Sequence, residues 1–182
     1  MQSNKNSNIT KGMIQVYTGD GKGKTTAALG LAFRAAGHGF RVMMIQFMKG
    51  EEKTGELLAA EKMAPWLTIK PMGRSGFISK GNPPPEDRAL AARALDFAKE
   101  VMLGGEYDLL ILDEINVALD FGLLPVEDVL DLIRIKPEFM ELVLTGRNAD
   151  SKIVQEADLV TEMKNLKHYF TQGVPDRKGI ER

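Results

Sequence analysis

A parallel α/β sheet with helices on both faces is the fold this sequence predicts, and three observations predict it. Short apolar runs recur along the chain without the polar alternation of a half-exposed sheet. Helical stretches separate them, which is the pattern of parallel strands joined by crossover helices. A glycine-rich loop joins the first apolar run to the first helix. The 182 residues suit one domain with a single sizeable core. That domain is read as residues 12–182, behind a flexible polar tail of residues 1–11.

The elements follow in order. Met13–Tyr17 is the first buried strand, and the helix Lys24–Ala36 comes after the glycine loop, with Gly37 and Gly39 able to stop it. Val42–Phe47 is the second strand. Lys49–Lys62 fits no template, and Leu67–Pro71 is a weaker strand. Gly73–Pro85 is dense in Gly and Pro and reads as a loop of a length that often carries function. Glu86–Met102 is the longest helix: Leu90, Ala94, Phe97, Ala98 and Val101 recur at helical spacing with charges between them. Leu109–Leu112 is a strand. Pro125–Ile135 is a helix with Pro at its first turn, then acidic Glu127 and Asp128 at the positive end of the dipole. Leu142–Leu144 is a strand, Ala149–Ala157 a short helix, and Leu159–Met163 a weaker strand.

Composition narrows the function classes. The 24 Lys and Arg nearly cancel the 25 Asp and Glu, leaving a formal charge of −1. No nucleic-acid or membrane partner is expected from that balance. The absence of cysteine excludes disulfides, thiolate metal sites and Cys nucleophiles. No apolar run approaches the ~20 residues needed to cross a bilayer. The polar start Met1–Asn8 lacks the apolar core of a signal peptide. A soluble cytoplasmic protein is the expectation.

The chemistry begins at Thr18-Gly19-Asp20-Gly21-Lys22-Gly23-Lys24-Thr25-Thr26, between a strand and a helix. This is the context of a P-loop. Glycines at 19, 21 and 23 let the backbone wrap a phosphate with its N–H groups pointing inward. The helix N-terminus adds partial positive charge. Lys24 supplies a point charge to the outer phosphates, and Thr25 a hydroxyl for Mg²⁺. The usual first glycine of the motif is Thr18 here, with Gly19 one place later. The strand Leu109–Leu112 ends in Asp113-Glu114, and such a strand is expected beside the phosphate loop with an acid facing Mg²⁺. The two acids could instead cap the next helix. Arg147, after Leu144-Thr145-Gly146, could reach a triphosphate with bidentate bonds or sit in a solvated turn. Lys49 falls at the ligand edge of the sheet. Spacing alone puts Arg34 on the surface. His38 and His168, the only histidines, read as structural. On these residues a kinase or ATPase cutting the terminal phosphate, and a non-enzymatic nucleotide-binding module, both stay open. The lack of cysteines weighs against a thymidine-kinase-like zinc lobe.

Taken together, the segments resemble the P-loop corrinoid adenosyltransferases. The resemblance is carried by Thr18–Ala28, Arg34-Ala35-Ala36-Gly37-His38-Gly39, Gln46-Phe47-Met48-Lys49-Gly50, Leu112-Asp113-Glu114, Leu124-Pro125, Thr145-Gly146-Arg147, Lys167-His168 and the ending Gly179-Ile180-Glu181. The Thr18 start of the loop belongs to that family's pattern. The resemblance implies a RecA-like sheet and a homodimer. It implies transfer of the 5′-deoxyadenosyl group of ATP to a Co(I) corrinoid with triphosphate released, in adenosylcobalamin biosynthesis or salvage, and an electron donor such as a reduced flavoprotein. By position, Gly19, Asp20, Gly21, Lys22, Gly23, Lys24, Thr25 and Thr26 would hold the triphosphate. Thr25 and Glu114 would hold Mg²⁺, and Arg34 and Arg147 would contact the nucleotide. Lys24 and Arg147 would spread the leaving group's charge, and Phe77 would exclude water from the cobalt face. The family's second aromatic there is replaced by Ser79, and Trp66 is too far along the chain to substitute.

Overall fold

The computed structural model describes residues 9–50, 52–74, 76 and 80–181. Six strands form one sheet: β1 (Ile14–Thr18), β2 (Val42–Gln46), β3 (Leu67–Pro71), β4 (Leu109–Asp113), β5 (Glu141–Thr145) and β6 (Leu159–Glu162). Their spatial order is β3-β2-β4-β5-β1-β6, and every pairing is parallel. The helices are α1 (Lys24–Gly37), α2 (Gly55–Lys62), α3 (Pro85–Gly104), α4 (Ile115–Asp120), α5 (Val126–Arg134) and α6 (Ser151–Glu156), with a 3₁₀ turn at Tyr169–Gln172.

The period-2 alternation of strand side chains divides the apolar residues between two faces. Val42, Met44, Leu109, Ile111 and Val143 pack with Ala28, Ala32 and Ala35 of α1 and Ala60 of α2. Met43, Ile45, Leu110, Leu112, Leu142 and Leu144 pack with α3, α4, α5 and Ile153 of α6. Helices therefore cover both faces, as expected. The stripe of α1 that meets the sheet is alanine, so this helix lies close over the strands.

Two elements were illegible in the sequence. Helix α2 buries only Ala60 and so has no apolar stripe to read. Helix α4 is six residues long, too short to show a period. The weak strand expected at Leu159–Met163 exists, but as an edge strand with all four residues exposed. No helix among the described residues is long and apolar enough to cross a membrane.

Register brings the site together. Gln46 pairs with Asp113, Leu112 with Leu144, and Tyr17 with Thr145. The C-terminal ends of β2, β4, β5 and β1 thus form one row, the edge where open α/β sheets bind ligands. The acid-bearing strand is not the partner of the loop-bearing strand: β5 lies between β4 and β1. Its carboxylate reaches the phosphate loop across Thr145.

Candidate active site

The loop after β1 is shaped by two different demands on its glycines. Gly23 has φ 121° and precedes α1, which has no side-chain N-cap and no acid in its first turn. The amides that begin a helix have no intrahelical partner, so they stay open to an anion. Gly19 and Gly21 answer instead to the segment that follows β6. A Cβ on either would stand 2.5 or 2.7 Å from the Met163 carbonyl oxygen. The Gly21 N–H donates to that carbonyl at 2.7 Å, so this amide, expected in the cradle, turns away from it.

Lys24 folds back across the loop, its Nζ donating to the carbonyls of Gly19 at 2.6 Å and Gly21 at 2.7 Å. Its pKa is lowered, first by burial; Glu114 opposes this and Arg147 adds to it. The Thr18 hydroxyl accepts from the Ala149 N–H at 3.2 Å. The residue that stands in for the motif's usual glycine therefore ties the phosphate loop to the turn carrying Arg147.

Asp113 is the buried hub. Its Oδ1 accepts from the hydroxyls of Thr25 at 2.9 Å and Thr145 at 2.8 Å. Its Oδ2 lies 3.8 Å from Lys49 Nζ. Lys49 also donates to Glu56 at 2.9 Å. Burial pulls the Lys49 pKa down, but Asp113 and Glu56 outweigh it and the net shift is upward. Burial likewise pushes Glu56 up, and Lys49 reverses it.

Glu114 adopts φ 63°, a left-handed conformation that costs a non-glycine residue about 1–2 kcal/mol. Its N–H is held by the Thr145 hydroxyl at 3.0 Å. Its carboxyl pKa is raised by burial and by Asp113, against the pull of Lys24, Lys49 and Arg147. Among the described residues, no hydrogen bond or ion pair engages its carboxylate. Asp113's oxygens are spoken for and Glu114's face the cavity, so Glu114 with the Thr25 hydroxyl fits a hard, oxygen-loving divalent ion.

A cavity of about 650 Å³ opens in front of these groups, a volume within the range of small-molecule sites. The loop residues Asp20–Thr26, Glu114 and Arg147 line it, with Lys49, Glu56 and Ala59 on one flank. Gly19 lies just behind, under Lys24. Arg34 does not join them. It is exposed in the last turn of α1, ten residues and roughly 15 Å along the helix from Lys24. Phe77 and Ser79 lie outside the described residues. Trp66 precedes β3, at the N-terminal edge of the sheet, away from the cavity. Sequence reasoning missed Glu56, on the helix it could not read, the buried bridge made by Thr145 between Asp113 and Glu114, and the places of His168 and Ile180 in the cavity wall. His168 lines the cavity, although its Nδ1 also accepts from the Phe170 N–H at 3.1 Å.

A wholly parallel sheet, an uncapped helix after a glycine loop, and a buried acid across the row define a RecA-like P-loop nucleotide-binding protein. The flagellar accessory protein FlaH from Methanocaldococcus jannaschii has the same fold, with a TM-score of 0.57 at 16% identity over 85% of this chain and 72% of that one. At that identity the likeness speaks for fold alone. Residues 10–182 match the family model described as ATP:corrinoid adenosyltransferase BtuR/CobO/CobP. A corrinoid adenosyltransferase from Sinorhizobium sp. is 39% identical over 94% of this chain and 80% of its own length. One from Pseudomonas aeruginosa is 36% identical over 94% and 84%. The chain belongs to the ATP:corrinoid adenosyltransferase family, a family of transferases.

Proposed function

We propose that this protein transfers the 5′-deoxyadenosyl group of ATP to the cobalt of a Co(I) corrinoid and releases triphosphate, in making or salvaging adenosylcobalamin. The observation that carries this reading is a cavity with an uncapped helix N-terminus, Lys24 and Arg147 gathered at one end. The cobalt substrate brings its own electron pair. It forms the cobalt–carbon bond at C5′ as the C5′–oxygen bond breaks, and that bond's electrons leave with the triphosphate. The protein then needs no nucleophile of its own. Its tasks are alignment of the two reactants and stabilisation of the leaving charge.

The amides opening α1, with Lys22, Lys24 and Arg147, take the polyphosphate. Lys24 starts pinned to two loop carbonyls, and an incoming phosphate oxygen offers its ammonium a charged acceptor in their place. Thr25 and Glu114 would hold Mg²⁺, which would screen the triphosphate's charge. Asp113 orients Thr25 for that role, and Thr145 orients both acids. Phe77 would keep water from the cobalt face, and Arg34, at the far end of α1, takes no part in holding the nucleotide within this chain. The exposed Phe33, Leu166 and Phe170 suit a homodimer, which sedimentation would test. A reduced flavoprotein would deliver the electron that generates Co(I). The cysteine-free chain suits the reducing cytoplasm such chemistry needs.

The test is incubation with ATP, Mg²⁺ and cob(I)alamin. The corrin spectrum should shift to that of an alkylated cobalt, and the nucleotide's other product should be triphosphate. ADP as the only nucleotide product would sink the proposal in favour of terminal phosphate cleavage.

A further inference from the structure

One wall of the cavity comes from the C-terminal segment, which the roles above leave unused. After β6 the backbone crosses the phosphate loop at Met163, held by the Gly21 N–H at 2.7 Å. It then makes the turn Tyr169–Gln172, which Gly173 ends in the left-handed region at φ 79°. From there the chain doubles back. Glu181 fixes the return: its carboxylate accepts from the Tyr169 hydroxyl, from the Arg177 N–H at 2.7 Å, and from the Arg177 guanidinium at 3.0 and 3.3 Å. The guanidinium also lies 5.0 Å from the centre of the Tyr169 ring. Hydrogen bonds from Arg177 and Tyr169 hold the Glu181 carboxyl down at about 2. The clasp closes a loop whose ends are twelve residues apart, and it sets His168, Gly179, Ile180 and Glu181 into the cavity.

The chemistry of this wall differs from that of the phosphate loop. Its carboxylate is already matched by Arg177. Its Ile180 side chain is 60% exposed, and Gly179 leaves room for close approach. A polyphosphate gains nothing from such a surface. A nucleoside does: a purine can cover the apolar side chain, while Arg177 and Tyr169 keep the Glu181 carboxylate satisfied and the wall in place.

We propose that the Tyr169–Arg177–Glu181 clasp positions residues 179–181 against the nucleoside half of ATP, fixing C5′ relative to the triphosphate gripped by the phosphate loop. This rests on the ATP reading above. Tyr169 and Arg177 act through the wall and not on the reacting atoms, so they are positioning residues. Inorganic tripolyphosphate, which lacks the nucleoside, should be indifferent to the clasp.

Titration calorimetry with Mg²⁺, using ATP and tripolyphosphate in parallel, tests this on the full chain. Arg177→Met should weaken ATP binding about ten-fold and leave tripolyphosphate within about two-fold. Tyr169→Phe should do the same to a smaller degree. Retained tripolyphosphate binding shows that the variants fold; were Arg177→Met to unfold, Tyr169→Phe carries the same two outcomes. Equal weakening of both ligands, or no change in either, overturns the inference. Wild-type protein that takes up neither ligand overturns the ATP reading, and this inference with it.

Discussion

Removing one hydroxyl at Thr145 tests the reasoning about the row of strand ends. Thr145 is fully buried. Its hydroxyl donates to Asp113 Oδ1 at 2.8 Å and accepts the Glu114 N–H at 3.0 Å. Thr145→Val keeps the shape and deletes both bonds. The Glu114 amide is then left without a partner, at about 1–3 kcal/mol. Asp113 loses one donor to a buried charge, about 1.5–3 kcal/mol, although Thr25 still serves the same oxygen. The terms share one site and do not add fully, so a loss of about 2–5 kcal/mol is expected. Against a typical domain stability of about 5–15 kcal/mol, that should lower the urea midpoint by about 1–2 M. Thr145→Ser keeps both bonds and removes one methyl, at about 1 kcal/mol. Urea unfolding of the three proteins, followed by circular dichroism, measures this. Turnover should fall in parallel, because Glu114 would no longer be held at its left-handed φ. A valine variant as stable and active as the serine variant would show that Thr145 does not organise the two acids.

The remaining predictions follow from single features. Lys24→Ala and Glu114→Ala should each lose about 10²-fold or more in kcat while the protein stays folded; wild-type turnover in Lys24→Ala would remove the phosphate-loop mechanism. Gly146→Ala should destabilise by about 1–3 kcal/mol, since φ is 131° and a new Cβ would sit 2.9 Å from the Val117 N. Gly105→Ala, at φ 68° in open space, should lose only about 1 kcal/mol, and thermal melts would separate the two. The Lys49–Glu56 pair sets a pH window. The Glu56 pKa is depressed below 4.5, so its contribution is full above that value and lost as pH falls through the folded pKa. The Lys49 pKa is raised above 10.5, so its contribution is full below that value and lost as pH rises through the folded pKa. Glu56→Gln should therefore flatten the acid limb of a stability–pH curve. Phe77→Ala should impair reaction started from cob(II) more than reaction started from chemically generated cob(I); equal loss in both assays would contradict a role in excluding water.

What the sequence determined by itself was local and strongly patterned. The strand–loop–helix at Met13–Ala36 was readable because its glycines, its lysine and the change of periodicity lie side by side. The core strands were readable because burial on both faces leaves uninterrupted apolar runs such as Leu109–Leu112. The composition of the Glu86–Met102 helix announced its stripe. Only the tertiary structure decided how distant segments meet. Strand order placed β5 between the acid and the phosphate loop, which made Thr145 the bridge. Close approach of Met163 turned the Gly21 amide away from the cradle. The fold set Glu56 on a helix with one buried residue, and it left Arg34 at the far end of α1. The physical reason is the range of the interactions. Periodicity and turn propensity act over a few residues and are written in neighbouring letters. Register, desolvation and charge pairing join residues such as Thr25 and Asp113, 88 positions apart, whose meeting no short stretch of sequence encodes.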